Sequence, residues 1–166
     1  MKEKITVTPE LLKNEFIKLY GETSNAIKMF ASPARINIIG EHIDYNVGKV
    51  FPAAIDKYLY VAIRKRNDTL INYNDLFFDG NFTFDINDNF VYKKENDYAN
   101  FLNGILSIIK RHGYVFESGF DVLIASNVPS AGGISSSSAL ECGFAWAVNQ
   151  TFEFNISRKE IALMGQ

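Results

Sequence analysis

The sequence contains little cysteine, and its net charge is small. It has one cysteine, Cys142, among 166 residues, and its formal net charge is −2. A disulfide within the chain is therefore excluded, and a lone thiol suits the cytoplasm. Cys142 lies in an apolar segment, which favours a packing role over a nucleophilic one. The weak net charge argues against nucleic acid or an anionic membrane as a partner.

Long hydrophobic runs are also missing. No apolar stretch approaches the length that spans a bilayer, and the first nine residues lack the apolar core of a signal peptide. The one basic run, Arg64-Lys65-Arg66, is short, and we interpret it as a solvated strand end. We therefore expect a cytoplasmic protein without a nucleic-acid or membrane partner.

What the sequence does contain is enough apolar material for one folded domain. Hydrophobic residues make up 47% of the chain and aromatic residues 14%, which excludes disorder. Thr8 and Pro9 form a helix start, and Ser157 with Glu160 forms a capping box that starts another. Between them, periodicity predicts further helices over 98–110 and 139–149. Strands are predicted over 27–30, 36–39, 58–63, 70–73, 82–86 and 120–125.

The most informative segment, residues 126–140, reads SNVPSAGGISSSSAL. Gly132 and Gly133 let the backbone approach an anion closely, and the four serines from Ser135 add hydroxyl donors. The helix that follows offers unpaired N–H groups and the positive end of its dipole. The segment has neither a Walker A pattern nor a dinucleotide fingerprint. A phosphate-binding loop is favoured over a flexible Gly/Ser linker, because apolar segments stand on both sides.

A second segment, residues 32–55, places charged residues between apolar flanks. Arg35, Glu41, His42 and Asp44 crowd into its middle, although burying charges is costly unless they are paired or bound to a ligand. Two carboxylates around an imidazole suit the hydroxyls of a sugar or polyol. The alternative is a solvated loop with a local ion pair. The spacing lacks the pattern of a zinc motif on a helix.

Together, the run RINIIGEHIDYN and the run PSAGGISSSSALE resemble signatures of the galactokinases, within the family of galactose, homoserine, mevalonate and phosphomevalonate kinases. The resemblance covers essentially the whole chain. It implies an α+β fold, in which a mixed or antiparallel sheet has helices packed on one side. It also implies that residues 1–166 are an N-terminal sugar- and ATP-binding domain that ends within a helix, with a C-terminal domain missing.

The resemblance assigns roles to individual residues. Arg35 is expected to stabilise charge beside the transferring phosphate, while the catalytic base, an aspartate, is expected beyond Gln166. Ser137 is expected to reach Mg²⁺. The residues expected to bind the sugar are Glu41, His42, Ile43, Asp44 and Tyr45. Those expected to bind ATP are Tyr98, Phe101, Ala131, Gly132, Gly133, Ile134, Ser135, Ser136 and Ser137. For Phe101, a place on the core face of its helix is an equally good interpretation.

The function implied is phosphorylation of D-galactose by ATP and Mg²⁺ at the anomeric hydroxyl. The isolated chain is expected to be inactive, because it lacks the base. Two alternatives remain open. One is a kinase for a related hexose or an N-acetylhexosamine, and the other is a non-catalytic regulator that binds galactose and ATP.

Overall fold

The computed structural model of the protein describes residues 6–40, 48–129 and 135–165. Within these ranges, helices and strands follow in this order: α1 (Pro9–Tyr20), β1 (Lys28–Ile39), β2 (Phe51–Lys65), β3 (Leu70–Asp75), β4 (Asn81–Asp85), a 3₁₀ turn (Lys94–Asn96), α2 (Ala99–Arg111), β5 (Phe120–Ser126), α3 (Ser136–Phe152) and α4 (Arg158–Met164). None of the described helices is long and apolar enough to cross a bilayer.

Both helix starts that the sequence predicted are confirmed. The hydroxyl of Thr8 accepts a hydrogen bond from the backbone N–H of Leu11 at 3.1 Å, with Pro9 in the first position of α1. At α4, the backbone N–H of Glu160 donates to Ser157 Oγ at 3.3 Å, and the N–H of Ser157 donates to Glu160 Oε2 at 2.9 Å. These caps satisfy backbone donors that a helix end leaves unpaired.

The five strands form one mixed sheet in the order β1-β2-β5-β3-β4. Neighbouring strands are antiparallel except for β3 and β5, which run parallel. The parallel pair begins where Gly119 passes Leu70, and a Cβ atom at Gly119 would overlap the carbonyl oxygen of Leu70. This close approach explains the glycine, which lets β5 enter the sheet beside β3.

The central strands bury side chains on both faces of the sheet. Val61 and Ile63 of β2 point into the larger core, under α2, α3 and α4, whereas Ala62 points into a smaller core with Leu12 and Phe16 of α1. The predicted mixed sheet is thus confirmed, and three of the four described helices lie on one side. The remaining helix, α1, covers the other face, because β2 and β5 have apolar residues facing both ways and each face needs a cover.

The strands predicted over 27–30 and 36–39 are one continuous strand, β1. Only residues 59–65 of β2 pair with β5, whereas residues 51–58 pair with β1 alone. Residues 33–39 and 51–58 therefore extend beyond the sheet as a two-stranded ribbon. Two strands by themselves are marginally stable in water. Large apolar side chains of the ribbon and its end are exposed, namely Ile36, Ile38, Ile39, Val50 and Phe51.

The basic run after residue 63 is not the solvated strand end that we expected. Arg64 is 3% exposed and donates to the Asp121 carboxylate, which is 1% exposed, at 2.9 Å. Arg66 and Asn72 donate to the other oxygen of Asp121 at 2.7 and 2.8 Å. Arg64 also donates to the carbonyl oxygens of Tyr20 and Gly21. This set of bonds compensates the burial of both charges.

We predict that Asp121→Ala lowers the free energy of unfolding by about 3–5 kcal/mol, because it leaves the Arg64 guanidinium buried without a counter-charge. Chemical denaturation monitored by circular dichroism measures the change. The matched control is Glu117→Ala, which removes the exposed partner of Lys65 and should change stability by less than about 1 kcal/mol. Equal effects of the two substitutions would contradict the prediction.

Candidate functional site

A cavity of about 320 Å³ opens where β3 and β5 end and where α2 and α3 begin. Because β3 and β5 are parallel, their carboxyl ends meet at one edge of the sheet, which is a common place for ligands in such sheets. We call this space the strand-end cavity. It is lined by Leu59, Asp75, Phe78, Asp97, Tyr98, Phe101, Ile124, Ser126, Val128, Ser136, Ser137 and Leu140.

The serine side of the strand-end cavity is the first turn of α3. Ser136 and Ser137 are exposed there and line the cavity. Ser135 precedes them in a left-handed conformation, with φ of 58°, and its side chain does not cap the helix. Backbone N–H groups at such a helix start attract anions, and the helix dipole adds to the attraction. The four preceding residues predicted to bind ATP, Ala131, Gly132, Gly133 and Ile134, lie outside the described residues.

The opposite side of the strand-end cavity is aromatic. Tyr98 and Phe101, at the start of α2, line the same cavity as the two serines. Phe101 is 46% exposed, so the interpretation of Phe101 as a core residue of α2 is wrong. The Tyr98 ring packs edge-to-face on Phe82, with 5.3 Å between centroids, and its hydroxyl donates to the carbonyl oxygen of Gly80 at 3.4 Å. Burial raises the pKa of Tyr98, and the nearby Asp75 carboxylate adds to that effect.

Asp75 was not singled out by the sequence analysis, although it lines the strand-end cavity. Its Oδ1 accepts hydrogen bonds from the backbone N–H groups of Phe77 and Phe78, at 2.8 and 3.0 Å. Burial raises the pKa of the Asp75 carboxyl, while the two backbone donors act in the opposite direction. The sequence signal for such a site is an aspartate at the end of a strand with aromatic residues two and three positions after it, here Phe77 and Phe78.

Arg35 lies apart from the strand-end cavity, on the ribbon. It is exposed, and its backbone pairs with Ala54. Burial raises the pKa of Cys142, Glu141 adds to the rise, and the charge of Arg35 opposes it. The charge of Arg35 thus acts on Cys142, in the second turn of α3, the helix whose first turn carries the cavity serines.

The residues predicted to bind the sugar are not among those that the structure describes. Glu41, His42, Ile43, Asp44 and Tyr45 lie outside the described residues, in the connection between β1 and β2. Among the residues that the structure does describe, no group of three acidic, histidine or cysteine side chains could hold a metal ion. Of the predicted metal site, only the Ser137 hydroxyl on the cavity wall can be placed.

Two protein-family signatures match this chain. Residues 14–65 match the galactokinase galactose-binding signature, which includes β1, β2 and the connection between them. Residues 100–166 match the GHMP kinases N terminal domain, which includes most of α2 and all of α3. The first signature therefore includes the whole ribbon, and the second includes seven of the twelve residues that line the strand-end cavity. Asp75, Phe78, Asp97 and Tyr98 lie in neither signature.

Curated relatives and solved structures agree with these signatures. The chain is 37% identical to the galactokinase of Clostridium beijerinckii and 35% identical to that of Bacillus subtilis, over 94% and 95% of its length. A crystal structure of Lactococcus lactis galactokinase complexed with galactose superposes with a TM-score of 0.88, at 34% identity over 95% of this chain. The chain spans only 40% of the length of each of these three proteins. Methanococcus jannaschii mevalonate kinase shares the fold, with a TM-score of 0.73 at 19% identity over 86% of this chain and 46% of that protein.

We predict that Asp75→Asn stabilises the fold at neutral pH. The folded-state pKa of Asp75 is raised, so the stability of the natural protein falls as pH rises from the unfolded-state pKa through the folded one. An asparagine keeps an oxygen for the two backbone N–H groups and removes the buried charge. The gain should disappear in acid, where the natural carboxyl is protonated. Thermal unfolding at a series of pH values tests this, with the exposed Asp79→Asn as a control that should have little effect. A loss of stability at neutral pH would contradict it.

Proposed function

Because the chain belongs to the family of galactose, homoserine, mevalonate and phosphomevalonate kinases, and matches the N-terminal part of its galactokinases, we propose that it is the sugar- and nucleotide-binding part of an ATP-dependent galactokinase. The reaction transfers the γ-phosphoryl group of ATP to the anomeric hydroxyl of D-galactose. Its products are galactose 1-phosphate and ADP. The observation that carries the proposal is the strand-end cavity, where aromatic residues face the serine-lined start of α3.

The strand-end cavity suits a nucleotide in one orientation. Flat, partly exposed aromatic rings of Tyr98 and Phe101 offer surfaces for a purine base. Ser135, Ser136 and Ser137 stand at the helix start, where N–H groups and hydroxyls suit phosphate oxygens. In this proposal, Ala131, Gly132, Gly133 and Ile134 complete the phosphate loop. Phosphoryl transfer depends mainly on such positioning and on charge neutralisation.

The magnesium proposal rests on Ser137. Its exposed hydroxyl on the cavity wall fits one position in an octahedral oxygen shell, in which water and phosphate oxygens usually fill several others. When bound, Mg²⁺ neutralises charge on the β- and γ-phosphates. Asp75 and Asp97 line the cavity as well, but Oδ1 of Asp75 is already engaged by two backbone donors.

Arg35 and the connection that follows β1 provide the proposed sugar side. Glu41, His42 and Asp44 suit the hydroxyl groups of galactose, with Ile43 and Tyr45 packing around them. The charge of Arg35 acts on Cys142 of α3, and its planar guanidinium suits charge that develops on a transferring phosphoryl group. The catalytic base is proposed to come from the part of the relatives that this chain does not span. A cytoplasmic location is proposed on the single cysteine.

Sugar-dependent release of ADP tests the proposed function, measured on the complete gene product that carries residues 1–166. With galactose and ATP, we expect turnover and a galactose 1-phosphate signal in phosphorus NMR. Turnover with N-acetylgalactosamine or another hexose, but not with galactose, would support the alternative sugar kinase. Binding of galactose and ATP by calorimetry without any turnover would support the non-catalytic regulator.

We predict that Arg35→Ala in the complete gene product lowers kcat by roughly 10³-fold, with a small change in substrate binding, because the interaction strengthens in the transition state. Arg35→Lys should restore only part of the rate, since a lysine lacks the planar fork. Lys57→Ala removes another positive charge from the ribbon and serves as the control. Near-normal kcat in Arg35→Ala would refute the role.

We also predict that the 166-residue chain by itself shows no galactose-dependent ATP turnover and self-associates through the ribbon. Exposed apolar residues such as Ile39 and Phe51, at 69% and 62% exposure, form the contact. Sedimentation should show that Phe51→Lys reduces association. Val115→Lys replaces a valine outside the ribbon that is 78% exposed, and it should have no such effect. Sustained galactose 1-phosphate formation by this chain would show that the base lies within residues 1–166.

A further inference from the structure

The Asp75 carboxylate has a fixed orientation at the wall of the strand-end cavity. Two consecutive backbone N–H groups, from Phe77 and Phe78, both donate to its Oδ1. Rotation of the side chain would break both bonds, and they are the kind that stabilises a carboxylate most. Among the described residues, no donor reaches Oδ2 within hydrogen-bond distance. Oδ2 is therefore the oxygen left to meet a ligand in the cavity.

The same turn brings an aromatic ring to the cavity beside the carboxylate. Phe78, whose N–H holds Asp75, also lines the cavity and is 55% exposed. Tyr98 lies close enough to Asp75 for the carboxylate to raise the pKa of the phenol. The free Asp75 oxygen thus lies at a cavity wall that also carries three partly exposed aromatic side chains, Phe78, Tyr98 and Phe101. Such a combination is suited to a flat ring that carries one outward donor.

We propose that Asp75 selects the nucleotide base, by accepting a hydrogen bond at Oδ2 from the 6-amino group of a purine. This proposal rests on the nucleotide site proposed above and adds a residue that determines specificity. One free oxygen fits one exocyclic amine. A 6-oxo group in the same place would bring two acceptors together with no proton between them, and a purine without a substituent at position 6 would leave the carboxylate unpaired.

The fixed orientation gives a sharp consequence for one substitution. In Asp75→Asn, the two backbone N–H groups still require an acceptor, so the amide oxygen occupies the position of Oδ1. The amide NH₂ then stands where Oδ2 stood, and an acceptor becomes a donor. The preference should move from 6-aminopurine towards 6-oxopurine, instead of merely weakening.

Isothermal titration of the complete gene product with three Mg²⁺-nucleotides tests the proposal: ATP, ITP and purine riboside triphosphate, which has no group at position 6. The natural protein should bind ATP roughly tenfold to hundredfold more tightly than either of the other two, the span of one hydrogen bond to a charged group. In Asp75→Asn, the ratio of ATP to ITP affinity should fall by at least about tenfold, and ITP should bind more tightly than it does to the natural protein.

The control is Asp97→Asn, which removes the same unit of charge from the same cavity. The two backbone donors that hold the Asp75 carboxylate have no counterpart at Asp97 among the described residues. It should change the affinities for all three nucleotides alike. A change in the ATP to ITP ratio with Asp97→Asn and none with Asp75→Asn would overturn the proposal.

Comparing the affinities of the natural protein for the three nucleotides needs no variant. This test of the proposal therefore remains valid even if Asp75→Asn folds poorly. Equal affinity for the three nucleotides would refute the role of Asp75 and leave the proposed kinase function standing. Failure of the natural protein to bind any of the three would refute the nucleotide site itself, and with it both proposals.

Discussion

The Asp121 carboxylate joins three strands at the point where the sheet changes from antiparallel to parallel pairing. It lies on β5 opposite Arg64 of β2 and Asn72 of β3, and it bonds to both side chains. A slip of one residue in β5 would turn this carboxylate to the other face and bury Arg64 among apolar groups. The polar cluster therefore determines the register of the central strands as well as contributing to stability.

That register places the parts of the strand-end cavity. In the parallel pair, Asp75 lies opposite Ile124, so both strands end at the same edge of the sheet. The chain then leaves β5 and enters α3 at Ser136, and α2 begins beside it, directly after Tyr98. Two helix starts, two strand ends and one oriented carboxylate meet there because of backbone topology. A charged ligand with a flat apolar end fits this distribution of groups.

The ribbon extends beyond the part of the sheet that β5 joins. Its strands pair only with each other and expose large apolar side chains on both. It also bears Arg35 and the connection that contains Glu41, His42 and Asp44. The chain spans two fifths of the length of its curated relatives. The ribbon that precedes and follows the residues proposed to hold the sugar thus exposes large apolar side chains, whereas the proposed nucleotide side is packed on the main core.

The sequence alone determined the features that depend on neighbours within a few residues. The caps at Thr8 and Ser157, the apolar face of α2 and the presence of β5 were predicted because their hydrogen bonds and periodicity are local. Four features depend on contacts between residues distant in sequence. They are the burial of Arg64, the joining of two predicted strands into β1, the packing of α1 on the opposite face of the sheet and the exposure of Phe101. Arg64 depends on a partner 57 residues away, and Phe101 lines a cavity to which four other elements, β2, β3, β5 and α3, also contribute. Asp75 was missed for the same reason: a lone aspartate after a strand becomes a candidate only when the fold brings aromatic rings and a helix start to its free oxygen.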